Sequence, residues 1–273
     1  MPDSSSNQSS KRKKGGGNWQ KNGKGAIIES GDCGVFVTCD KGKEGKCIPE
    51  AVDLFTQSIE QSADGEKDAD SGSDEDEDIE AQIRREVEGL KPGSSKPRDF
   101  RTFRMEFPCV IFVKFDKSID PEKLVHQLCV DAHTHPEQKR SRYIQRLSPI
   151  RSIRKTLSVD LEAFAAEILK PHFHSGGPPK KFAIRPVVRG NSKFNRDILI
   201  KTIAQVVGPD HSVDLKNYDL LILVEVVQNL IGMSVLGSDY DKLKKYNLAE
   251  LYKPSARAEA TTEAKSEAPE VKE

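Results

Sequence analysis

The sequence predicts an α+β protein of two folded units, flanked and interrupted by segments too polar to pack. Three observations carry this. Short apolar runs with a period of two alternate with stripes of period three to four, the patterns of half-buried strands and amphipathic helices. A 32% charged fraction and a mean hydropathy of −0.60 are too polar for one compact body of 273 residues. The formal net charge of zero also conceals a separation of signs. Residues 139–201 hold 15 Lys and Arg against 4 Asp and Glu, whereas Asp74 to Asp78 is an unbroken carboxylate run.

Residues 1–25, rich in Ser, Lys, Gly and Asn, read as a disordered basic arm. Within the arm, Ser10 to Lys14 is a nuclear import signal, a loose phosphate contact or a solvated tail. A first unit is expected over 26–133. It opens with a strand at Gly34 to Asp40 and a helix at Ile48 to Ile59, with Ile48, Ala51, Val52, Phe55 and Ile59 as the buried stripe. Between them, Lys41 to Lys46 imitates a phosphate loop. Asp40 replaces the first glycine and Cys47 the metal-holding hydroxyl, so the turn offers cations to a phosphate but no nucleotide site. Residues 61–97 are an acidic, Ser- and Gly-rich insertion, expected to be disordered, with a short helical pattern at Ile79 to Leu90. Ser71 and Ser73 precede acidic residues and are candidate sites for an acidophilic kinase. Order returns at Phe100 to Phe115, where Val110 to Phe115 is a strand, and a helix capped by Asp120 with Pro121 at its first position runs to about Asp131. This order suggests a small sandwich of the split βαβ kind.

The second unit, 134–253, is basic. Arg142 to Ile150 alternates as a strand with Arg142 and Arg146 on one side, and Arg151, Arg154 and Lys155 extend the patch. A helix capped by Ser158 and ended by Pro171 buries Leu161, Phe164, Ala165, Ile168 and Leu169. Lys180 and Lys181 lead into a strand with Phe182, Ile184 and Val188 on one face and Arg185 and Arg189 on the other. Asn195 caps the next helix, placing Lys193 and Arg196 beside free backbone N–H groups that favour an anion. A strand starts at Val213. Leu220 to Val227 is apolar without a break, as in a central strand covered on both faces, and Ile231 to Leu236 returns as a hairpin. Lys244 and Lys245 follow, and 254–273 is a tail expected to be disordered.

Five cysteines without a pairing pattern suggest a reducing compartment, and no apolar run reaches the length of a membrane span, so a soluble intracellular protein is expected. His126, Cys129, His133 and His135 are zinc-ligand types, but the first two share a helix that must also bury Leu124, Val125 and Leu128, and no second cluster completes a motif. No metal site, cofactor or catalytic residue is therefore assigned.

At several blocks the residues resemble THUMP-domain proteins of the eukaryotic tRNA acetylation-adaptor type. These are Val37-Thr-Cys-Asp-Lys-Gly-Lys-Glu-Gly-Lys-Cys47, Arg142 to Ile150, Phe182 to Arg189, Val213-Asp-Leu-Lys-Asn217, Leu223 to Val227 and Lys244-Lys-Tyr-Asn-Leu248. The loop Gly190 to Arg196 departs from the family's usual Asn-Ser-Leu-Ser-Arg-Asp pattern. The resemblance implies an N-terminal ferredoxin-like domain followed by an α/β THUMP domain. It also implies a role: binding leucine and serine tRNAs so that a separate RNA cytidine acetyltransferase forms 4-acetylcytidine in the D-arm.

A non-catalytic tRNA-binding adaptor is thus expected, in the nucleus and nucleolus with some protein in the cytoplasm. DNA and membranes are not expected partners. The rivals are a tRNA acetyltransferase drawing a base from His126, His133 or Glu225, and an interaction module for acidic proteins. The RNA-contacting set is Arg142, Arg146, Arg151, Arg154, Lys180, Lys181, Arg185, Arg189, Lys193, Arg196, Lys244 and Lys245.

Overall fold

Strand β4 (Ile144–Ile150) stops at Arg151 and resumes as β5 (Ser152–Lys155), and the two pieces belong to different sheets. The structure, a computed structural model, describes residues 27–65 and 100–253. The basic arm, most of the acidic insertion with Ser71, Ser73 and the 79–90 pattern, and the tail lie outside the described residues.

The first sheet is built from β1 (Cys33–Cys39), β2 (Phe100–Arg104), β3 (Val110–Phe115) and β4, in the order β2-β3-β1-β4 with every pair antiparallel. Helix α1 (Glu44–Gly65) follows β1 and α2 (Pro121–Thr134) follows β3, which makes the βαββαβ ferredoxin-like arrangement. Alternation decides the faces. Val35, Val37, Ile111 and Val113 meet Ala51, Leu54 and Phe55 of α1 and Leu124, Val125 and Leu128 of α2. Phe36 and Phe112, rings 4.9 Å apart, point the other way and pack with Ile150, Ile153, Val227 and Leu230. Asp120 caps α2 by accepting from the N–H groups of Glu122 and Lys123. At Gly34 two strands approach so closely that a Cβ would stand 2.0 Å from the Val113 carbonyl oxygen. Gly34→Ala is expected to destabilise the fold by about 3 kcal/mol, since a backbone atom would have to move; urea unfolding measures it.

Helix α1 begins at Glu44 rather than Ile48 and runs past Ile59 into the expected insertion. Pro49 lies inside it, and a proline four residues beyond a glycine-containing turn reads in sequence as a helix start. Strand β2 is half exposed on the sheet edge, which hides its period.

The second sheet has the order β5-β9-β8-β6-β7, from β5, β6 (Lys181–Arg189), β7 (Ser212–Val213), β8 (Leu220–Val227) and β9 (Leu230–Gly237). Helices α3 (Leu161–Phe173) and α4 (Arg196–Val207) cover one face, burying Ile222, Val224, Val226, Ile231 and Met233. The opposite face of β8 gives Leu221 and Leu223 to the core of the first sheet, so the central strand is covered on both sides, as its unbroken apolar run predicts. Asp160, not Ser158, caps α3 by accepting from the N–H groups of Glu162 and Ala163. The helix also passes through Pro171 to Phe173, because Phe173 is buried against the Phe182 ring at 5.7 Å.

The expected boundary between 133 and 134 does not match the sheets. β4 completes the first sheet by pairing with β1, because its Leu147 and Ile144 are needed in the core under α1 and α2. The chain end returns there too. Tyr240, Leu243, Tyr246 and the short helix α5 (Leu248–Leu251) pack into that same core.

Candidate nucleic-acid interface

The site is built around strand β6. Its period of two sends Phe182, Ile184 and Val188 towards the helices, while Arg185 and Arg189 emerge on the other side. Strand β7 pairs only with Lys181 and Phe182, so the edge of β6 from residue 183 onward is open among the described residues. Pro186, which has no N–H to offer a neighbour, suits such an edge. Asn195 caps α4 by accepting from the Ile198 N–H at 2.8 Å, which sets Arg196 at the first helical position, exposed.

Lys244, Lys245 and Tyr246 follow one another with φ of 51°, 58° and 56°. Three consecutive left-handed residues without glycine cost roughly 1–2 kcal/mol each. Tertiary contacts hold them. The Tyr246 ring is 1% exposed and meets Tyr240 edge-on at 4.9 Å, the Lys245 N–H donates to the Tyr240 carbonyl, and Asn247 bridges to Arg146 of β4. The turn thereby delivers Lys245 to the edge of β6.

The result is an open groove of about 430 Å³ lined by Arg146, Ile184, Arg185, Pro186, Val187, Arg196, Leu215, Leu223, Tyr240 and Lys245. Four of the twelve expected cations, Arg146, Arg185, Arg196 and Lys245, converge here from four separate segments. Arg185 donates to Asp241 at 2.6 Å, and that carboxylate also accepts from the Tyr218 hydroxyl at 2.8 Å. Arg196 and Lys245 have no carboxylate partner among the described residues. Leu215 is 66% exposed beside them. Burial pushes the Tyr240 phenol up to about 12, so it remains protonated at neutral pH. Sequence reasoning missed Leu215 and Tyr240; an exposed leucine in the polar turn 214–217 was the available signal.

Most of the other expected cations are held elsewhere. Arg151 pairs with Asp120 at 3.0 Å, Arg154 with Glu167 at 2.7 Å, and Lys181 with Asp214 at 3.4 Å. The ammonium of Lys180 donates to the His172 carbonyl and that of Lys193 to the Thr156 carbonyl. Lys244 is exposed next to Lys245 but does not line the groove, and Arg142 lies over the Tyr143 ring instead of beside Arg146. Arg189 is partly buried and turned to a partner between the sheets. It donates at 2.5 Å to Glu225, whose other oxygen accepts from Ser148 of β4 at 2.8 Å, and Glu225 is 1% exposed between the two sheets. Desolvation raises the Glu225 carboxyl above its ordinary range, with Arg189 acting against it. The zinc-type residues separate: His126 meets Asp239 at 2.6 Å, Cys129 is buried in the core, and His135 lies 3.4 Å from Glu137.

Comparison with known proteins agrees with this architecture. The THUMP domain matches residues 158–236, from the start of α3 to the last turns of β9. An uncharacterised protein of Schizosaccharomyces pombe is 36% identical over 233 residues, covering 83% of this chain and 78% of that protein. The tRNA acetyltransferase TAN1 of Saccharomyces cerevisiae is 32% identical over 255 residues, 85% of this chain and 88% of that protein. THUMP domain-containing protein 1 of Bos taurus is 34% identical over 238 residues, 83% of this chain and 65% of that protein. With similarity extending across both sheets and over most of the length of the two yeast relatives, the chain belongs to the family of THUMP-domain proteins that includes TAN1 and THUMP domain-containing protein 1.

Proposed function

We propose that this chain binds tRNA through the β6 groove and acts as a non-catalytic adaptor, presenting leucine and serine tRNAs to a separate RNA cytidine acetyltransferase for 4-acetylcytidine formation. The observation that carries the binding half is the convergence of Arg146, Arg185, Arg196 and Lys245, three of them without a carboxylate partner among the described residues, along an open strand edge. Such a groove attracts a phosphodiester backbone and releases its counterions. Phosphate contacts position an RNA without reading its sequence, in keeping with recognition of a folded shape.

For the adaptor half, deprotonating an exocyclic amine during attack on a thioester calls for a base within hydrogen-bond reach. The described groove lining contains no carboxylate or histidine, its tyrosine is held protonated, and nearby Asp241 is engaged by Arg185 and Tyr218. Holding the RNA so that a partner's site reaches one cytidine is a positioning effect. The yeast relative carries the name of an acetyltransferase, which gives the catalytic reading its weight. A nuclear and nucleolar location remains part of the proposal, resting on the basic run at Ser10 to Lys14.

One experiment separates these readings. The purified chain is titrated with tRNA at rising salt, then incubated with tRNA and acetyl-coenzyme A with and without an RNA cytidine acetyltransferase. The adaptor gives a log–log salt slope of about −3 or steeper, the groove alone neutralising about four phosphates, and acetylated cytidine only when the transferase is present. Product from the chain alone, in a preparation shown by mass spectrometry to be free of transferase, sinks the adaptor reading; salt-independent binding sinks the groove.

A further inference from the structure

Besides the groove, a second group of cations gathers on the first sheet, and none of them has a carboxylate partner among the described residues. The turn between β1 and α1 exposes Lys41 and Lys43, the first turn of α1 exposes Lys46, and Arg142 is exposed just before β4. Tyr143 brings two of them together: the Lys46 ammonium lies 5.5 Å and the Arg142 guanidinium 5.7 Å from its ring centroid. The ring's negative faces draw both cations in, and two like charges drawn to one ring repel each other until an anion arrives.

Carboxylates adjacent in sequence do not supply that anion. Glu50, one helical turn from Lys46, accepts instead from the backbone N–H groups of Tyr143 and Ile144 at 2.8 and 3.0 Å. Glu44 is turned inward, 7% exposed, and accepts from the Cys109 N–H at 2.8 Å, which holds its carboxyl below the ordinary range. Asp40 accepts from the Gln145 amide. Each nearby acid is thus fixed to a neutral donor, and none of the four cations has an ion-pair partner among the described residues. This arrangement differs from that of Arg151, Arg154 and Lys181, where the acids lie against the bases.

We infer that Lys41, Lys43, Lys46 and Arg142 form a second phosphate-binding patch, which contacts the backbone of the same RNA that occupies the β6 groove. The inference rests on the proposed function and extends its footprint from the second sheet to the first. The patch and the groove are joined by one stretch of chain. Arg142, just before β4, and Arg146 within it are four residues apart, about 13 Å when extended.

The test uses the full chain and tRNA, with three variants: Lys43→Ala/Lys46→Ala/Arg142→Ala in the patch, Arg196→Ala/Lys245→Ala in the groove, and all five together. All substituted side chains are exposed, and thermal melts verify that each variant folds. The patch variant is expected to bind about tenfold more weakly, with a salt slope shallower by about 2, and the combined variant to lose more than either. Lys43→Arg/Lys46→Arg/Arg142→Lys, which keeps the charge, restores the slope. If the patch variant binds like wild type while the groove variant weakens, the second patch is wrong and the groove stands. If neither variant weakens binding, the tRNA reading itself falls. A patch variant that binds tRNA normally yet fails to support acetylation by the transferase also overturns the inference, because the patch then meets a protein.

Discussion

Arg189→Ala is expected to lower the free energy of unfolding by about 3–5 kcal/mol, the penalty for leaving a buried charge without its partner. From sequence, Arg189 is an outward cation on a strand at the basic face. In the structure it is the counter-ion of Glu225, which lies between the two sheets with Ser148 as its other hydrogen-bond donor among the described residues. The pH dependence distinguishes this account from simple loss of packing. The folded-state pKa of Glu225 is already raised by burial, so the stability tied to its protonated form is fully present below the unfolded value and is lost as pH rises through the folded one. Removing Arg189 raises that folded value further. The deficit of Arg189→Ala relative to wild type should therefore widen as pH rises through the raised folded values and shrink as pH falls towards 4.5, the ordinary glutamate value. Urea unfolding at a series of pH values measures this. A deficit independent of pH would mean that the guanidinium acts through its shape alone. Arg189→Ala/Glu225→Gln should recover part of the loss, since an amide in place of the carboxylate removes the stranded charge.

Arg196→Ala/Lys245→Ala is expected to weaken tRNA binding by about 2 kcal/mol, roughly thirtyfold near physiological salt, while leaving the melting temperature close to wild type. Both side chains are exposed and neither has a carboxylate partner among the described residues, so the fold does not depend on their charge. The matched control is Arg151→Ala/Lys181→Ala. It also removes two cations, but their charges are offset by Asp120 and Asp214. That variant should bind within about twofold of wild type and keep its salt slope. Equal losses from both pairs would show that tRNA senses only the total charge of the surface. Fluorescence anisotropy with labelled tRNA, run at several salt concentrations, gives affinity and slope together.

The contrast between these pairs shows what the sequence made legible. Period and capping located β1, β3, β6, β8 and β9 and the starts of α2 and α4, because those signals are local: alternating apolar residues, Asp120-Pro121, Asn195. The destination of β4 is a non-local fact. Arg142 to Ile150 alternates equally well for either sheet, and the outcome depends on the antiparallel register of Leu147 with Val37, which spacing does not reveal. The cap of α3 at Asp160 rather than Ser158 was a choice between two good acceptors two residues apart. At the site, sequence found the cations but could not sort them. Whether an arginine faces a ligand or a buried acid is settled by what stands opposite in space. Glu225 gave no warning, since a single glutamate within an apolar strand has the same letter whether it is a base, a core counter-ion or an error of register. Leu215 and Tyr240 enter the groove through tertiary folding of turns whose sequence gives no sign of where they pack.

The passage of one strand through both sheets has a mechanical consequence. In a protein of two modules on a linker, a long ligand is gripped by each module in turn, and the linker absorbs any mismatch between the two grips. Here the covalent chain of β4 and β5 belongs to both bodies, and the C-terminal residues Tyr240 to Leu251 fasten the second back onto the first. On the two-contact reading proposed above, the molecule works as a caliper whose jaws are set at the factory. On that reading, an RNA whose phosphates match the gap gains both contacts with little further loss of freedom, whereas one that mismatches by several ångströms is expected to gain only one, because the two grips share one continuous stretch of chain.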